Sequence, residues 1–534
     1  MTSATVTPLQ SATEHAVRMA DGTRIFYRAW LPAAPTRRAV VMFHRGHEHS
    51  GRLADVIAEL DLQDTAVFAW DARGHGRSDG ERGYAPGFAE MVRDVDTFMR
   101  HVCAHHGFAM NELVVVAHSV GAVTLATWVH DYAPPIRGLV LVTPAFAVKL
   151  YVPLAIPGLR LLQRCRPGRH SFVKSYVKAR MLTHDPDQAR RYDADPLITR
   201  AIAVNVLLEM RDTARRVVAD AGAIDTPTLV LTGERDWVVE KGVQRRFFAR
   251  LGSETKTMRS FPGMYHDLLH EKERSLVLDE IRAFLGRVFY ATPPRRALLH
   301  ADRDGFTRQE HDRLTRPLTP LTPRWLGYRL QSLLMRTLGR LSRGIRLGYR
   351  TGFDSGQSLD YVYENRPRGA LLLGRWIDRA YLGSQGWRGI RQRRVNLQAM
   401  LARAITAVGD AGHPVRILDL AAGAGRYVLD ALAAAPGIDI AAVLRDNTQA
   451  NLETGRDLAK RMGIGNARYE VGDAFDAASI AGIDPAPNVG VVSGLYELFP
   501  DNERVSRSLR GLATALRAGA ARAGGEAWFV YTGQ

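Results

Sequence analysis

From His15 to about Ala291, short apolar runs alternate with stretches of helical spacing. The runs Ala39–Phe43, Ala66–Trp70, Leu113–Ala117, Leu139–Val142, Thr228–Leu231 and Thr255–Phe261 read as strands. Helical stretches such as Phe88–His105 and Leu276–Phe289 separate them. That alternation is what a mostly parallel sheet requires. Asp21-Gly22 predicts a hairpin turn between Ala16–Met19 and Arg24–Trp30. Between Ala145 and Ala223 the rhythm breaks, and this segment reads as an inserted helical cap.

The character changes from about Thr292 to Arg350, where Pro293, Pro294, Pro317, Pro320 and Pro323 mark a linker. Within it, Arg324 to Arg350 holds seven arginines and no acid. Leu330, Leu333, Leu334, Leu338, Leu341 and Ile345 recur at helical spacing, with Arg329, Arg336, Arg340, Arg343 and Arg350 on another face. The segment predicts a basic amphipathic helix, weakened by Gly339 and Gly344. A second alternation follows, with strands over Val415–Leu420, Ile438–Leu444, Arg468–Val471, Val489–Val492 and Ala527–Tyr531, and predicts a doubly wound sheet. The expected organisation is thus a first domain over 1–291 with its cap at about 145–223, a basic helical linker over 292–352, and a second domain over 353–534.

Composition narrows the class. A chain of 534 residues accommodates two to four domains, and 46% apolar with 24% charged residues excludes wholesale disorder. The formal net charge of +17 points to a polyanionic partner or an anionic membrane surface. Cys103 and Cys165 are the only cysteines, which excludes a disulfide framework and a Cys-x-x-Cys metal or redox motif, and fits a reducing compartment. The first thirty residues hold no continuous apolar core, and no run of about 20 apolar residues occurs. The expected location is cytoplasmic, peripheral on the inner face of a membrane. No nucleic-acid recognition motif is present, so no nucleic-acid partner is expected.

The first candidate chemistry lies at Ala117-His118-Ser119-Val120-Gly121, between a buried strand and a helix. A serine on so tight a turn needs small residues two positions before and after it, and Ala117 and Gly121 meet that need. A serine hydroxyl becomes a nucleophile only beside an oriented imidazole. Asp236 and His266 each follow a strand, in the chain order serine, acid, histidine. Val120 directly after the serine offers one backbone amide for an oxyanion.

The loop after Ala39–Phe43 reads His44-Arg45-Gly46-His47-Glu48-His49-Ser50-Gly51-Arg52, and Asp71-Ala72-Arg73-Gly74-His75-Gly76-Arg77-Ser78 and His266-Asp267-Leu268 with Glu271 follow. On these motifs the chain resembles the monoglyceride lipase and lysophospholipase branch of the α/β-hydrolases from about Ala16 to Phe289. The resemblance implies a catalytic triad of Ser119, Asp236 and His266. It also implies an oxyanion hole of Gly46 and Val120, a monoacylglycerol or lysophospholipid substrate, and no cofactor for this half. Arg45 and His47 stand where that family has glycines, and add bulk beside the acyl site. His44, His47, His49 and Glu48, like the pair His266 and His270, match no metal motif, so no metal is expected. In the cap, Leu150, Tyr151, Val152, Leu154 and Leu161 read equally as core packing or as an apolar lid, with Arg160, Arg164, Arg166 and Arg169 as anionic-lipid contacts.

In the second domain, Asp419-Leu420-Ala421-Ala422-Gly423-Ala424-Gly425 joins a strand to a helix through small residues. It resembles motif I of class I S-adenosylmethionine methyltransferases, with Ala421 for the first glycine. The resemblance implies S-adenosylmethionine held by Asp419, Ala421, Gly423, Gly425, Asp446, Asp473 and Ala474, with Asp446 on the ribose and Asp473 facing the adenine amine. A dinucleotide-binding unit is the competitor, though it opens with G-x-G-x-x-G. Domains of that type close with a further helix and hairpin after the fifth strand, so a C-terminally incomplete domain is expected at Gln534.

The reading that follows is a bifunctional enzyme, a serine hydrolase of lipid esters with a methyltransferase-like domain. The alternatives are a non-catalytic peripheral membrane scaffold and an aminopeptidase-type serine hydrolase. The Arg324–Arg350 segment is the expected contact with an anionic membrane surface.

Overall fold

A computed structural model describes residues 11–149, 151–152, 154–165, 170–291, 302–303, 306–353, 355–523 and 525–533. The chain divides into two compact units, Met1–Arg296 and Ala297–Gln534. Leu150, Arg166, Arg169, Pro293 and Pro294, singled out above, lie outside the described residues.

The first unit carries β1 (Thr13–Arg18), β2 (Arg24–Trp30), β3 (Ala39–Phe43), β4 (Ala66–Trp70), β5 (Leu113–His118) and β6 (Gly138–Val142). After β7 (Phe172–Lys174) and β8 (Ala201–Ala203) come β9 (Thr228–Gly233) and β10 (Lys256–Phe261). Eight of these form one sheet in the order β1-β2-β4-β3-β5-β6-β9-β10. The β1–β2 hairpin is antiparallel and pairs Arg18 with Arg24; β2 runs antiparallel to β4, and all later neighbours are parallel. Alternate residues of the central strands feed two cores. Val41, Phe43, Val115 and Leu141 pack under helices Phe88–His106, Val120–Tyr132 and Lys241–Arg250. Val40, Met42, Val116 and Val140 pack on Ala54–Leu60 and Arg274–Tyr290. Because both faces are buried, the strands are continuously apolar rather than alternating. β9 runs two residues past its apolar run, since Thr232 and Gly233 continue the backbone ladder opposite Ser260 and Phe261.

The cap holds helices Ala155–Cys165, Pro186–Ala194 and Val204–Ala219, as expected. It also holds an antiparallel ribbon of β7 and β8, which its weak apolar pattern concealed. That ribbon is fastened to the body: the Ala203 amide donates to the Gly83 carbonyl at 2.9 Å. Gly83 has φ +73, and a Cβ there would sit 2.0 Å from the Ala201 carbonyl oxygen.

The second unit contains β11 (Val415–Leu420), β12 (Ile440–Asp446), β13 (Ala467–Val471), β14 (Val489–Val492) and β15 (Trp528–Tyr531). They form a wholly parallel sheet in the order β13-β12-β11-β14-β15. β12 lies two residues later than its apolar run, because the ladder with β13 extends to Asp446 opposite Val471.

The basic stretch is not one helix but Pro323–Arg336, a tight turn over Leu338–Leu341, and Arg343–Thr351. The break is a capping event: Ser342 accepts the Ile345 amide at 3.1 Å and donates to Asp378 at 2.6 Å. The buried Asp378 carboxylate also accepts the Gly344 and Arg368 amides, at 3.0 and 2.8 Å, and the Tyr361 hydroxyl. One carboxylate thus ties together the helices Arg343–Thr351, Gly356–Glu364 and Leu371–Leu382. Among the described residues no helix is long and apolar enough to cross a membrane.

At the end of the Phe88–His106 helix, the Tyr27 hydroxyl lies 3.1 Å from His101 Nε2 and 3.0 Å from His106 Nε2, with His15 and His105 stacked around them. Burial, and then the nearby His105, pushes His106 down to about 4. A histidine kept neutral in the folded chain contributes stability above its unfolded value near 6.5, lost as pH falls towards the folded value. The urea midpoint of the first unit is therefore expected to fall from about pH 6.5 towards pH 4. His106→Asn is expected to flatten that slope, measured by denaturation across the range.

Candidate active sites

Ser119 sits where β5 gives way to the Val120–Tyr132 helix, at φ 54 and ψ −110. Such a non-glycine conformation costs about 1–3 kcal/mol and persists only where its surroundings enforce it. Here the Ser119 amide donates to the Val142 carbonyl at 2.9 Å, and the Ser119 carbonyl accepts the Ala145 amide at 3.2 Å. The small residue at 121 is obligatory, because a Cβ on Gly121 would lie 2.5 Å from the His44 carbonyl oxygen.

The three expected side chains converge. Ser119 Oγ is 2.8 Å from His266 Nε2, and His266 Nδ1 is 2.8 Å from Asp236 Oδ2. Asp236 Oδ1 accepts the Val238 and Val239 amides at 2.7 and 2.9 Å. Burial alone would raise the Asp236 carboxyl, but His266 and these amides hold it below its usual range. A carboxylate so placed fixes the imidazole tautomer with Nδ1 protonated, leaving Nε2 to accept from the serine.

Two further residues brace the backbone of His266. The His266 carbonyl accepts Thr143 Oγ1 at 2.8 Å and lies 3.2 Å from His118 Nε2. Thr143, at φ 40, escaped sequence reasoning because its role is to the backbone. His118 was named only as the residue before the serine.

Gly46 faces Val120, with a Cβ on Gly46 falling 3.0 Å from Val120 Cγ2. Among the hydrogen bonds of the described residues, neither the Gly46 nor the Val120 amide donates one. Both border a cavity of about 530 Å³ that also reaches Ser119 and His266. Its other walls are largely apolar, among them Val148, Leu159, Val206, Leu207 and Met210, and Tyr151 and Val152 are exposed beside it.

Arg45 borders this cavity but is chiefly committed behind it. Its guanidinium lies over the Tyr192 ring at 4.7 Å, 3.0 Å from Glu48 and 3.4 Å from Asp267, all buried. Glu48 is also 2.9 Å from Arg52. Glu48, Asp267 and His270 come together at ligand-like distances, yet the two arginines already neutralise the charge they would offer a cation. His47 occupies its glycine-like position at φ 75 and lines the cavity. Burial, then His75 and Arg45, pushes it down to about 3, so the ring is neutral at working pH.

In the second unit, the loop after β11 turns through Ala421, Gly423 and Gly425 at φ 57, 57 and 68. A Cβ on Gly425 would strike Leu444 at 1.9 Å, whereas one on Gly423 would meet nothing within 4 Å. Gly425 is small for packing, while Gly423 faces open space. Asp446, at the end of β12, accepts the Gly423 amide at 2.9 Å, the Thr448 amide at 2.9 Å and the Asn451 side-chain amide at 3.1 Å. Asp419 is fully buried; its Oδ1 accepts the Tyr427 hydroxyl at 3.0 Å and its Oδ2 has no hydrogen-bond partner among the described residues. Burial holds its carboxyl well above the usual range.

Asp473 and Ala474 follow β13 beside this loop: the Gly472 amide donates to the Asp446 carbonyl at 3.0 Å, and Asp473 accepts the Phe475 amide at 2.9 Å. Arg445, buried with Nε and Nη1 unpaired among the described residues, was not anticipated, since it lies just past the apolar run Ile438–Leu444. An open backbone face, an acid at the neighbouring strand end and an orphaned buried carboxylate oxygen fit a nucleoside-bearing cofactor.

These geometries define an α/β-hydrolase joined to a methyltransferase-like unit. The family described as "Serine aminopeptidase, S33" matches residues 34–273, and that described as "Putative methyltransferase" matches 281–534. The chain is 47% identical over 524 residues to "Uncharacterized protein YnbC" of Escherichia coli (strain K12), covering 98% of this chain and 88% of that one. It belongs to the same two-unit family. It is 28% identical to "Monoacylglycerol lipase" of Mycolicibacterium smegmatis over 51% of this chain and 96% of that protein. A crystal structure of Paleococcus ferrophilus monoacylglycerol lipase aligns at 25% identity and TM-score 0.44, over 52% of this chain and 98% of that one.

The buried Arg45 network gives a stability test. Arg45→Met removes the cation that Glu48 and Asp267 share but leaves Arg52 and His270 beside them, so a loss of about 3 kcal/mol is expected, the low end for breaking a buried pair. Urea denaturation of the variant should show a loss of that size.

Proposed function

We propose that the first unit hydrolyses carboxylic esters of monoacyl lipids through an acyl-enzyme, and that the second unit binds S-adenosylmethionine. The observation that carries the first reading is the relay Ser119–His266–Asp236, at 2.8 Å per step, opening on an apolar cavity of about 530 Å³. Ser119 Oγ attacks the ester carbonyl as His266 Nε2 takes its proton. The tetrahedral oxyanion is met by the Gly46 and Val120 amides, a contribution of about 3–4 kcal/mol per donor. Collapse expels the alcohol, which takes the proton from His266. Water then enters by the reverse sequence and releases the fatty acid. Asp236 keeps its charge throughout and stabilises the imidazolium.

The cavity walls favour a lipid ester over a peptide. An aminopeptidase must hold a substrate ammonium, and among the described residues lining this cavity there is no carboxylate. The similarity to a monoacylglycerol lipase of Mycolicibacterium smegmatis supports the same class.

In the second unit, S-adenosylmethionine when bound supplies an electrophilic methyl group. The Gly423 face would admit its backbone-hugging portion, Asp446 would accept from the ribose hydroxyls, and Asp473 with Ala474 would border the adenine. Asp446 already accepts the Gly423 amide, so the acid that would meet the ribose also shapes the loop.

Fluorophosphonate labelling is expected in the wild type and absent in Ser119→Ala; equal labelling of both would falsify the nucleophile. Asp236→Asn should lower kcat on a monoacylglycerol by about 10⁴-fold, since it offers the imidazole the wrong tautomer. Gly423→Ala tests the second unit. The added methyl finds room within the protein and costs stability only about 1 kcal/mol through its positive φ, yet should abolish calorimetric binding of S-adenosylmethionine.

A further inference from the structure

The helix Pro323–Arg336 has no buried residue. A helix in a folded unit ordinarily buries its apolar stripe, and this one has such a stripe, with Leu326, Leu330, Leu333 and Leu334 spaced at three and four residues and all exposed. Leu330, Leu334 and Leu338 line an apolar groove of about 390 Å³ whose far wall is Ile377, on the helix Leu371–Leu382. Beside Ile377 on that helix stands Trp376, with Leu371 and Leu372 at the helix start, exposed by 68, 82 and 85%. Large apolar side chains left exposed in such number on one groove and the helix that walls it mark an interaction site.

The charge around it is of one sign. From Arg313 to Phe353 the chain holds nine arginines and no acid. Arg324, Arg329, Arg336, Arg340, Arg346 and Arg350 are all exposed, and none forms an ion pair with a described residue. Arg375 and Arg379 add two more exposed cations on the helix of Trp376.

We propose that the helices Pro323–Arg336 and Leu371–Leu382, with the Leu338–Leu341 turn between them, form a docking face for an anionic lipid bilayer. Leucines interleaved with unpaired arginines, with Trp325, Tyr328 and Trp376 among them, match the headgroup boundary, where apolar side chains enter the acyl region and cations meet phosphate. A second copy of the chain fits poorly, because a self-paired face would set its arginines against one another. A nucleic acid would satisfy the arginines but leave Leu371, Leu372 and Trp376 without a use. The docking is interfacial, since no described helix can span a bilayer. It stands apart from the ester-hydrolase reading, because none of these residues belongs to the Ser119 cavity.

The test is sedimentation of the full-length chain with vesicles of phosphatidylcholine alone and of phosphatidylcholine with phosphatidylglycerol, at low and high salt. Wild type should bind the phosphatidylglycerol vesicles and release from them as salt rises. Arg329→Glu/Arg336→Glu/Arg340→Glu should weaken that binding by on the order of a hundredfold, near fivefold or more for each cation. Leu333→Ser/Trp376→Ser should weaken it at least tenfold, while Leu154→Ser/Leu161→Ser in the cap and Ser119→Ala should leave the phosphatidylglycerol dependence intact. All the changed side chains on this face are exposed, so the folded state is retained, verified by circular dichroism and thermal midpoint. Binding indifferent to phosphatidylglycerol, or lost only with the cap variant, overturns the proposal. So does concentration-dependent self-association abolished by Leu333→Ser/Trp376→Ser without vesicle binding. Loss of esterase activity in Ser119→Ala with unchanged vesicle binding separates this face from the catalytic reading.

Discussion

The hydrogen bond from Ser119 to His266 depends on where strands end. β5, β9 and β10 are parallel and in register, so the residues just beyond their carboxyl ends fall on one rim. Ser119 follows β5, Asp236 follows β9, and His266 follows β10. Residues 147 positions apart in sequence therefore meet at 2.8 Å without either being carried on a flexible arm. The strained turn at Ser119 is the local cost of that convergence, and the amide bonds to Val142 and from Ala145 enforce it.

Behind the rim lies a second layer of polar order. Thr143 and His118 hold the His266 carbonyl, and Asp267, the next residue, belongs to the ion network of Arg45, Glu48 and His270. The bulk that replaces glycine at 45 is thus directed into a buried charge cluster, with Tyr192 of the cap stacked on it. His47 is the residue that presents new surface to the substrate cavity, at a backbone angle glycine would adopt more easily.

Much of this was legible in the chain. The apolar runs located the central strands, since parallel strands buried on both faces leave an unambiguous signature; β3, β4, β11 and β14 coincide with their runs. The serine, the acid and the histidine were readable because each follows such a run. The resemblance to a hydrolase joined to a methyltransferase-like unit agrees with the families that match the two halves. What stayed hidden depends on tertiary partners. The β7–β8 ribbon has no apolar period of its own, and Thr143 acts through a backbone carbonyl. The break near Ser342 arises from a buried Asp378 that sits 36 residues away. The Arg324–Arg350 period was genuine, but the cap at Ser342 divides it into two helices.

The fastening of the ribbon to Gly83 divides the cap mechanically. Ala203 is bonded to the Gly83 carbonyl, and the backbone at 201 passes too close to Gly83 for even a methyl group between them. The helix Ala155–Cys165, by contrast, rests through Ile156 on Val204 and Leu208, and Arg160 donates to the Asp212 carboxylate at 3.0 and 3.1 Å. The cap is therefore anchored in two ways: the ribbon is pinned through its backbone at Gly83 and sets that wall of the chamber, whereas the short helix is held to Val204–Ala219 by side chains.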